Sequence, residues 1–196
     1  MNIMTNKHLL AAALLALAAA QAQAAQYTGF SGQGVAVTDY SGAGQLAFDL
    51  DFSSRSSATL NFSVEAQDLG AGALSFNALV RNLSGLGFEN FSVKLDGVRF
   101  ALPAGSVTSD GFQGVQQFGS SSQGLWAGFS QPGVTTEFYI GNPLAQPGAT
   151  DWTLDLAGRQ VGDAFSITVA VPEPGSYALM LAGLAAVGWV ARRRKG

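Results

Sequence analysis

Two aspartates two positions apart, Asp49 and Asp51, and a scatter of aromatic rings are the side chains here that could carry chemistry. On a β-strand both carboxylates share one face, with Cβ atoms roughly 7 Å apart. They could offer oxygen ligands to calcium or act as a carboxylate pair. The plainer reading is the wet side of a strand. The chain has no cysteine, and its one histidine, His8, sits at the extreme N-terminus. Thiol catalysis, Ser-His-Asp hydrolysis and His-ligated zinc therefore have no residues to work with in the body. Gly42-Ala43-Gly44-Gln45-Leu46-Ala47 fits G-x-G-x-x-A. That fingerprint needs a strand before it and a helix after it, and here a strand pattern follows. Asn61-Phe62-Ser63, Asn82-Leu83-Ser84 and Asn90-Phe91-Ser92 fit the glycosylation acceptor pattern, as chance allows in a chain rich in Asn and Ser. Trp126, Trp152, Tyr139 and Tyr40 could line a sugar-binding face, since aromatic rings are flat apolar platforms with a polar edge. Trp126 and Trp152 run in phase with apolar neighbours and are expected in the core. The body is expected to be non-catalytic and to need no cofactor.

The elements that would hold these residues read as β. Leu46 to Phe52 alternates strictly, with Leu46, Phe48, Leu50 and Phe52 on one face and Ala47, Asp49 and Asp51 on the other. Ala58–Glu65 repeats the pattern with Leu60, Phe62 and Val64 inward. Ala73–Asn82 does so with Leu74, Phe76, Ala78 and Val80, while Leu79 falls on the opposite face. A short strand is expected at Val35–Thr38, and Asp68–Gly72 reads as a loop. Asp96-Gly97 is a two-residue type I′ hairpin pair between Phe91–Leu95 and Val98–Leu102. In that register Leu95 faces Val98, Val93 faces Phe100 and Phe91 faces Leu102, all on one core face, while Lys94 meets Arg99 outside. Pro103 to Gly124 is rich in Gly, Ser and Gln and is expected to hold weak strands, because so long a bare loop is unusual. Leu125–Phe129, Val134–Ile140, Trp152–Leu156 and Ala164–Val171 complete the set. No helical period appears in the body. The predicted class is all-β, an antiparallel, jelly-roll-like β-sandwich.

Composition bounds the partners. The chain has 13 acidic and 10 basic residues. Setting aside Lys7, the four C-terminal cations and Glu173 leaves 12 acidic residues against Arg55, Arg81, Lys94, Arg99 and Arg159, a net charge near −7. No basic cluster is present to neutralise phosphates, so nucleic acid is excluded as a partner.

The two ends differ from the body. Lys7 and His8 precede an apolar run, Leu9–Ala20, and Ala22-Gln23-Ala24 is an A-x-A cleavage site, so residues 1–24 read as a signal peptide. Residues 25–171 form the expected single domain. After it come Pro172-Glu173-Pro174, an uncharged run from Tyr177 to Ala191, then Arg192, Arg193, Arg194 and Lys195. The prolines fix φ and withhold two donors, which ends any strand. A helix over 177–191 would be roughly 22 Å long, short of the ~30 Å hydrocarbon core. The cations would hold it on the cytoplasmic side.

This tripartite end, residues 172–196, resembles the PEP-CTERM sorting signal of Gram-negative bacteria. The resemblance implies a substrate of exosortase, an integral-membrane cysteine transpeptidase that acts near Pro172-Glu173-Pro174 and detaches the body from its helix. It implies a transient stay at the inner membrane and then the cell surface or extracellular matrix, alongside exopolysaccharide. Two readings of the body follow: a structural matrix protein, or a lectin-like module, calcium-assisted through Asp49 and Asp51. A smooth Ser/Thr/Asn surface would favour the first, and exposed aromatics beside a groove the second.

Overall fold

Period-two alternation dictates strands that bury one side each, and two sheets result. The computed structural model describes residues 25–70, 74–85, 87–110, 114–130 and 135–171. The first sheet has the order β1 (Gln26–Ser31), β4 (Ser57–Ser63), β13 (Ala164–Ala170), β6 (Asn90–Asp96), β10 (Gly124–Phe129) and β9 (Val115–Ser121). The second runs β2 (Val35–Asp39), β3 (Gln45–Phe52), β5 (Leu74–Asn82), β11 (Glu137–Ile140) and β8 (Val107–Ser109), with β12 (Trp152–Asp155) joining β5 to β7 (Arg99–Phe100). A five-residue helix, α1 (Ala66–Gly70), stands where the sequence reads as a loop. Asp68 holds it, accepting the Glu65 N–H at 2.7 Å.

Leu46, Phe48, Leu50 and Phe52 are buried, as are Leu60, Phe62 and Val64, and Leu74, Phe76, Ala78 and Val80. The rings of the two sheets touch across one core. Phe48 of β3 lies 5.8 Å from Phe62 of β4, and Phe138 of β11 stacks on Phe91 of β6 at 4.1 Å. The Gly/Ser/Gln-rich stretch does hold weak strands, β8 and β9. The first strand, β1, has no clean alternation in sequence because Thr28 is an extra residue in its register against β4, between Tyr27↔Phe62 and Gly29↔Asn61.

Two expectations need correcting. The body is not uniformly antiparallel: β3 and β5 pair in parallel from Gln45↔Ser75 to Phe52↔Asn82. Parallel neighbours need a crossover, and here β4 and α1 supply it by visiting the first sheet between them. Nor is Asp96-Gly97 a hairpin. β6 pairs with β13 and β10, whereas β7 pairs with β12 in the other sheet. Gly97, at φ +80°, is a corner where the chain changes sheets. Phe91, Val93, Leu95, Val98 and Phe100 still point into one core, because it lies between the two sheets. Leu102, expected opposite Phe91, is 91% exposed. The supposed clash of Lys94 with Arg99 disappears as well: Arg99 pairs with Asp155 at 3.4 Å, and Lys94 sits between Thr168 and Gly124.

Candidate functional site

On β10 the inward positions are Leu125, Ala127 and Phe129, all buried. The alternate positions, Gly124, Trp126 and Gly128, therefore face out. Trp126 is 49% exposed, contrary to the expectation that it packs in the core. The strict alternation of Leu125–Phe129 carries that outward placement, with Trp126 out of phase with its apolar neighbours. Trp152 does behave as expected. It is buried on β12, donates its indole N–H to the Ser106 carbonyl at 3.0 Å and packs on Phe100 with centroids 4.5 Å apart.

Trp126 pairs in register with Gly119 of the edge strand β9 on one side and Ser92 of β6 on the other. Its indole leans over Gly119: a Cβ there would lie 2.8 Å from Cε2 and collide with Nε1. Next to the ring is an open concavity of about 400 Å³ walled by Glu89, Asn90, Ser92, Gln116 and Gln117. A β-bulge builds one wall, since Gln117 faces Gly128 while Val115 faces Phe129, leaving Gln116 as an extra residue. Bulges kink an edge and re-aim side chains. Gly128 leaves the floor open. Away from this concavity the outer face of the first sheet is polar: Thr59 and Thr168 share a 2.9 Å hydroxyl contact beside Ser57, Asn61 and Ser166, and Lys94 of β6 is exposed opposite Thr168. Tyr40 is exposed elsewhere, at the β2–β3 turn, and Tyr139 is buried, so the four aromatic candidates do not form one platform.

Asp49 and Asp51 share the outer face of the second sheet, as their spacing implies. Arg81, in register with Asp51 on β5, bridges them: Nε donates to Asp51 at 2.6 Å, and Nη2 to Asp49 at 3.0 Å and Asp51 at 3.2 Å. A calcium ion would have to displace that guanidinium. Among the described residues no three His, Cys, Asp or Glu side chains gather where they could hold a metal ion. Burial raises the Asp49 carboxyl above its usual range. Arg81 opposes the shift, while Asp51 and Glu137 add to it. Across β5, Tyr139 donates to Glu137. Burial foremost, then that hydrogen bond, pushes its phenol up to about 12.

The last described residue, Val171, is buried and donates its N–H to Ser56 at 2.8 Å. It extends β13, a central strand of the first sheet. Ala22 and Ala24, Pro172, Glu173 and Pro174, the run 177–191 and Arg192, Arg193, Arg194 and Lys195 lie outside the described residues. Among those described, no helix is long and apolar enough to cross a membrane. A family model decides what this end is. Residues 170–195 match the PEP-CTERM protein-sorting motif. The match begins at the final residue of β13 and takes in the Pro-Glu-Pro motif, the apolar run and the basic tail. The PEP-CTERM motif implies an exported protein, held transiently at a membrane and processed by exosortase. No curated protein and no solved structure matches the chain.

Proposed function

We propose that this chain is a non-catalytic surface or extracellular-matrix protein of a Gram-negative bacterium, with a β-sandwich body that associates with exopolysaccharide after exosortase has released it. The observation that carries this reading is the PEP-CTERM match over residues 170–195, set directly against a body whose last strand ends at Ala170. The last described strand, ending at Ala170, and the last described core residue, Val171, precede Pro172, so a cut at Pro172–Pro174 removes no described strand and no described core residue. Five residues, Pro172 to Ser176, separate Val171 from the apolar run. Extended, they reach at most about 18 Å. Before processing, the body would therefore sit close to the membrane with the motif held between the two.

The polar Ser/Thr/Asn face of the first sheet supports a matrix role. The lectin-like reading gains from Trp126, an exposed ring beside a concavity. Intact-mass analysis of the chain from culture fluid and from membranes tests the route. Released protein should begin near Ala25 and end near Pro172–Pro174. A released chain that begins at Met1, or that still carries Arg192–Lys195, overturns the proposal.

A further inference from the structure

We propose that the Trp126 concavity is a glycan-binding subsite for a neutral hexopyranose segment of a polysaccharide. This inference rests on the association with exopolysaccharide proposed above and gives it a place on the molecule.

Three observations converge. First, a Trp ring on a sheet's outer face is unusual in position as well as exposure. It stands alone between Gly124 and Gly128, the other outward positions of β10, so no neighbour on its own strand covers it. One side of the indole is backed by Gly119, where any side chain would displace it. A rigid, backed ring is what a sugar's apolar C–H face stacks on, because the flat apolar area is held at little cost in conformational entropy. Second, the surround is rich in groups that suit hydroxyls. Gln116, Gln117 and Asn90 each offer an amide donor and acceptor, Ser92 a hydroxyl and Glu89 an acceptor. Such a mixture of one apolar platform and several convergent polar groups is the ordinary composition of a small-ligand site. Third, the bulge at Gln116 places two consecutive glutamines along one concavity, which a regular strand would send to opposite faces.

The surround also sets the charge of the ligand. Among the described residues that line the concavity there is one carboxylate, Glu89, and no cation; Lys94 of β6, opposite Gly124, lies outside that lining. An anionic sugar or phosphate in the concavity would meet Glu89 with no cation in the lining to offset it. The same charge argues against a bilayer surface, which attracts aromatic residues flanked by Lys and Arg. A structural role is the competing use of the ring: an aromatic laid over an edge-strand glycine stabilises that edge. The two uses differ in what a mutation changes.

The test is affinity electrophoresis of protein purified from producing cells. Gels are cast with dextran, hydroxyethylcellulose, galactomannan, alginate or the polysaccharide recovered from the same culture. The wild-type chain should be retarded by a neutral polysaccharide or by the culture's own, and not by alginate. Trp126→Ala should weaken that retardation about tenfold, with an unchanged melting temperature. Trp126→Phe should keep most of it, and Gly119→Ala, which moves the ring without removing it, should weaken it. Equal retardation of wild type and Trp126→Ala overturns the subsite and leaves the association standing. No retardation of the wild type by any polysaccharide overturns both, and touches nothing in the sorting route. If Trp126→Ala lowers the melting temperature while retardation persists, the ring is an edge support and the subsite is overturned. Loss of binding to phosphatidylethanolamine–phosphatidylglycerol vesicles, with retardation intact, assigns the ring to a membrane surface and overturns it too.

Discussion

At Asp49 the electrostatics run against the carboxylate. Burial foremost raises its pKa; Arg81 opposes the shift, and Asp51 and Glu137 add to it. A raised acid holds its proton in the folded chain at a pH where the unfolded chain has lost it. Stability therefore falls as pH climbs from the ordinary carboxylate value through the raised one. Asp49→Asn should raise the melting temperature at pH 7, and the gain should fade as pH falls below about 4. Arg81→Met should act the other way, costing about 1 kcal/mol at pH 7, a modest figure because the guanidinium is partly solvated. The loss should shrink at pH 3, where Asp49, its pKa raised by burial, is protonated; urea melts at the two pH values check both variants. Tyr139 has the same sign at the alkaline end. Its phenol stays neutral up to about 12, so the folded chain loses stability as pH rises from about 10 to about 12. Absorbance titration near 295 nm should show a tyrosine ionising near 12 that vanishes in Tyr139→Phe.

At the scale of elements, the corner at Gly97 matters more than its length suggests. It separates β6 in one sheet from β7 in the other, and its φ of +80° is open chiefly to glycine. A Cβ there would come 2.9 Å from the Ala164 carbonyl and 3.1 Å from the Phe165 Cα, both backbone and unable to retreat. Gly97→Ala should cost about 1–3 kcal/mol in a denaturant melt, with far-UV circular dichroism unchanged before the transition. The inward set of β3, β4, β5 and β6 was legible in the sequence because burial alone fixes which face a strand presents. Pairing was not. Phe91 to Phe100 satisfies the same inward pattern as one hairpin or as two strands in facing sheets, and no side chain distinguishes the two. The parallel β3–β5 pair was hidden for the same reason, since alternation says nothing about which strand lies alongside. Asp49 and Asp51 were read correctly as one face, but Arg81 lies 30 residues from Asp51 and their meeting depends on that parallel register. Trp126 has apolar neighbours but the opposite phase from Leu125, Ala127 and Phe129, which puts it outside the core, and the concavity beside it depends on a bulge that leaves no local sequence mark.

For the whole molecule, the division of labour follows the chain. The tail carries the sorting motif, and the body before it is an acidic two-sheet domain with no cysteine and no histidine. Its last buried residue, Val171, is tied to Ser56 immediately before Pro172, so the body gives way to the sorting motif with no linker between them. Four cations beyond the apolar run resist passage through lipid. Replacing Arg192, Arg193, Arg194 and Lys195 by neutral residues should weaken retention and let unprocessed chain escape, seen as released protein with the mass of the uncut form. The most direct measurement is the intact mass and amount of protein in culture fluid from cells carrying Pro172, Glu173 and Pro174 together changed to Ala. Export and folding should persist while the chain stays with the inner membrane at its uncut mass. Release of the triple variant at the same mass and amount as wild type would contradict processing at this motif.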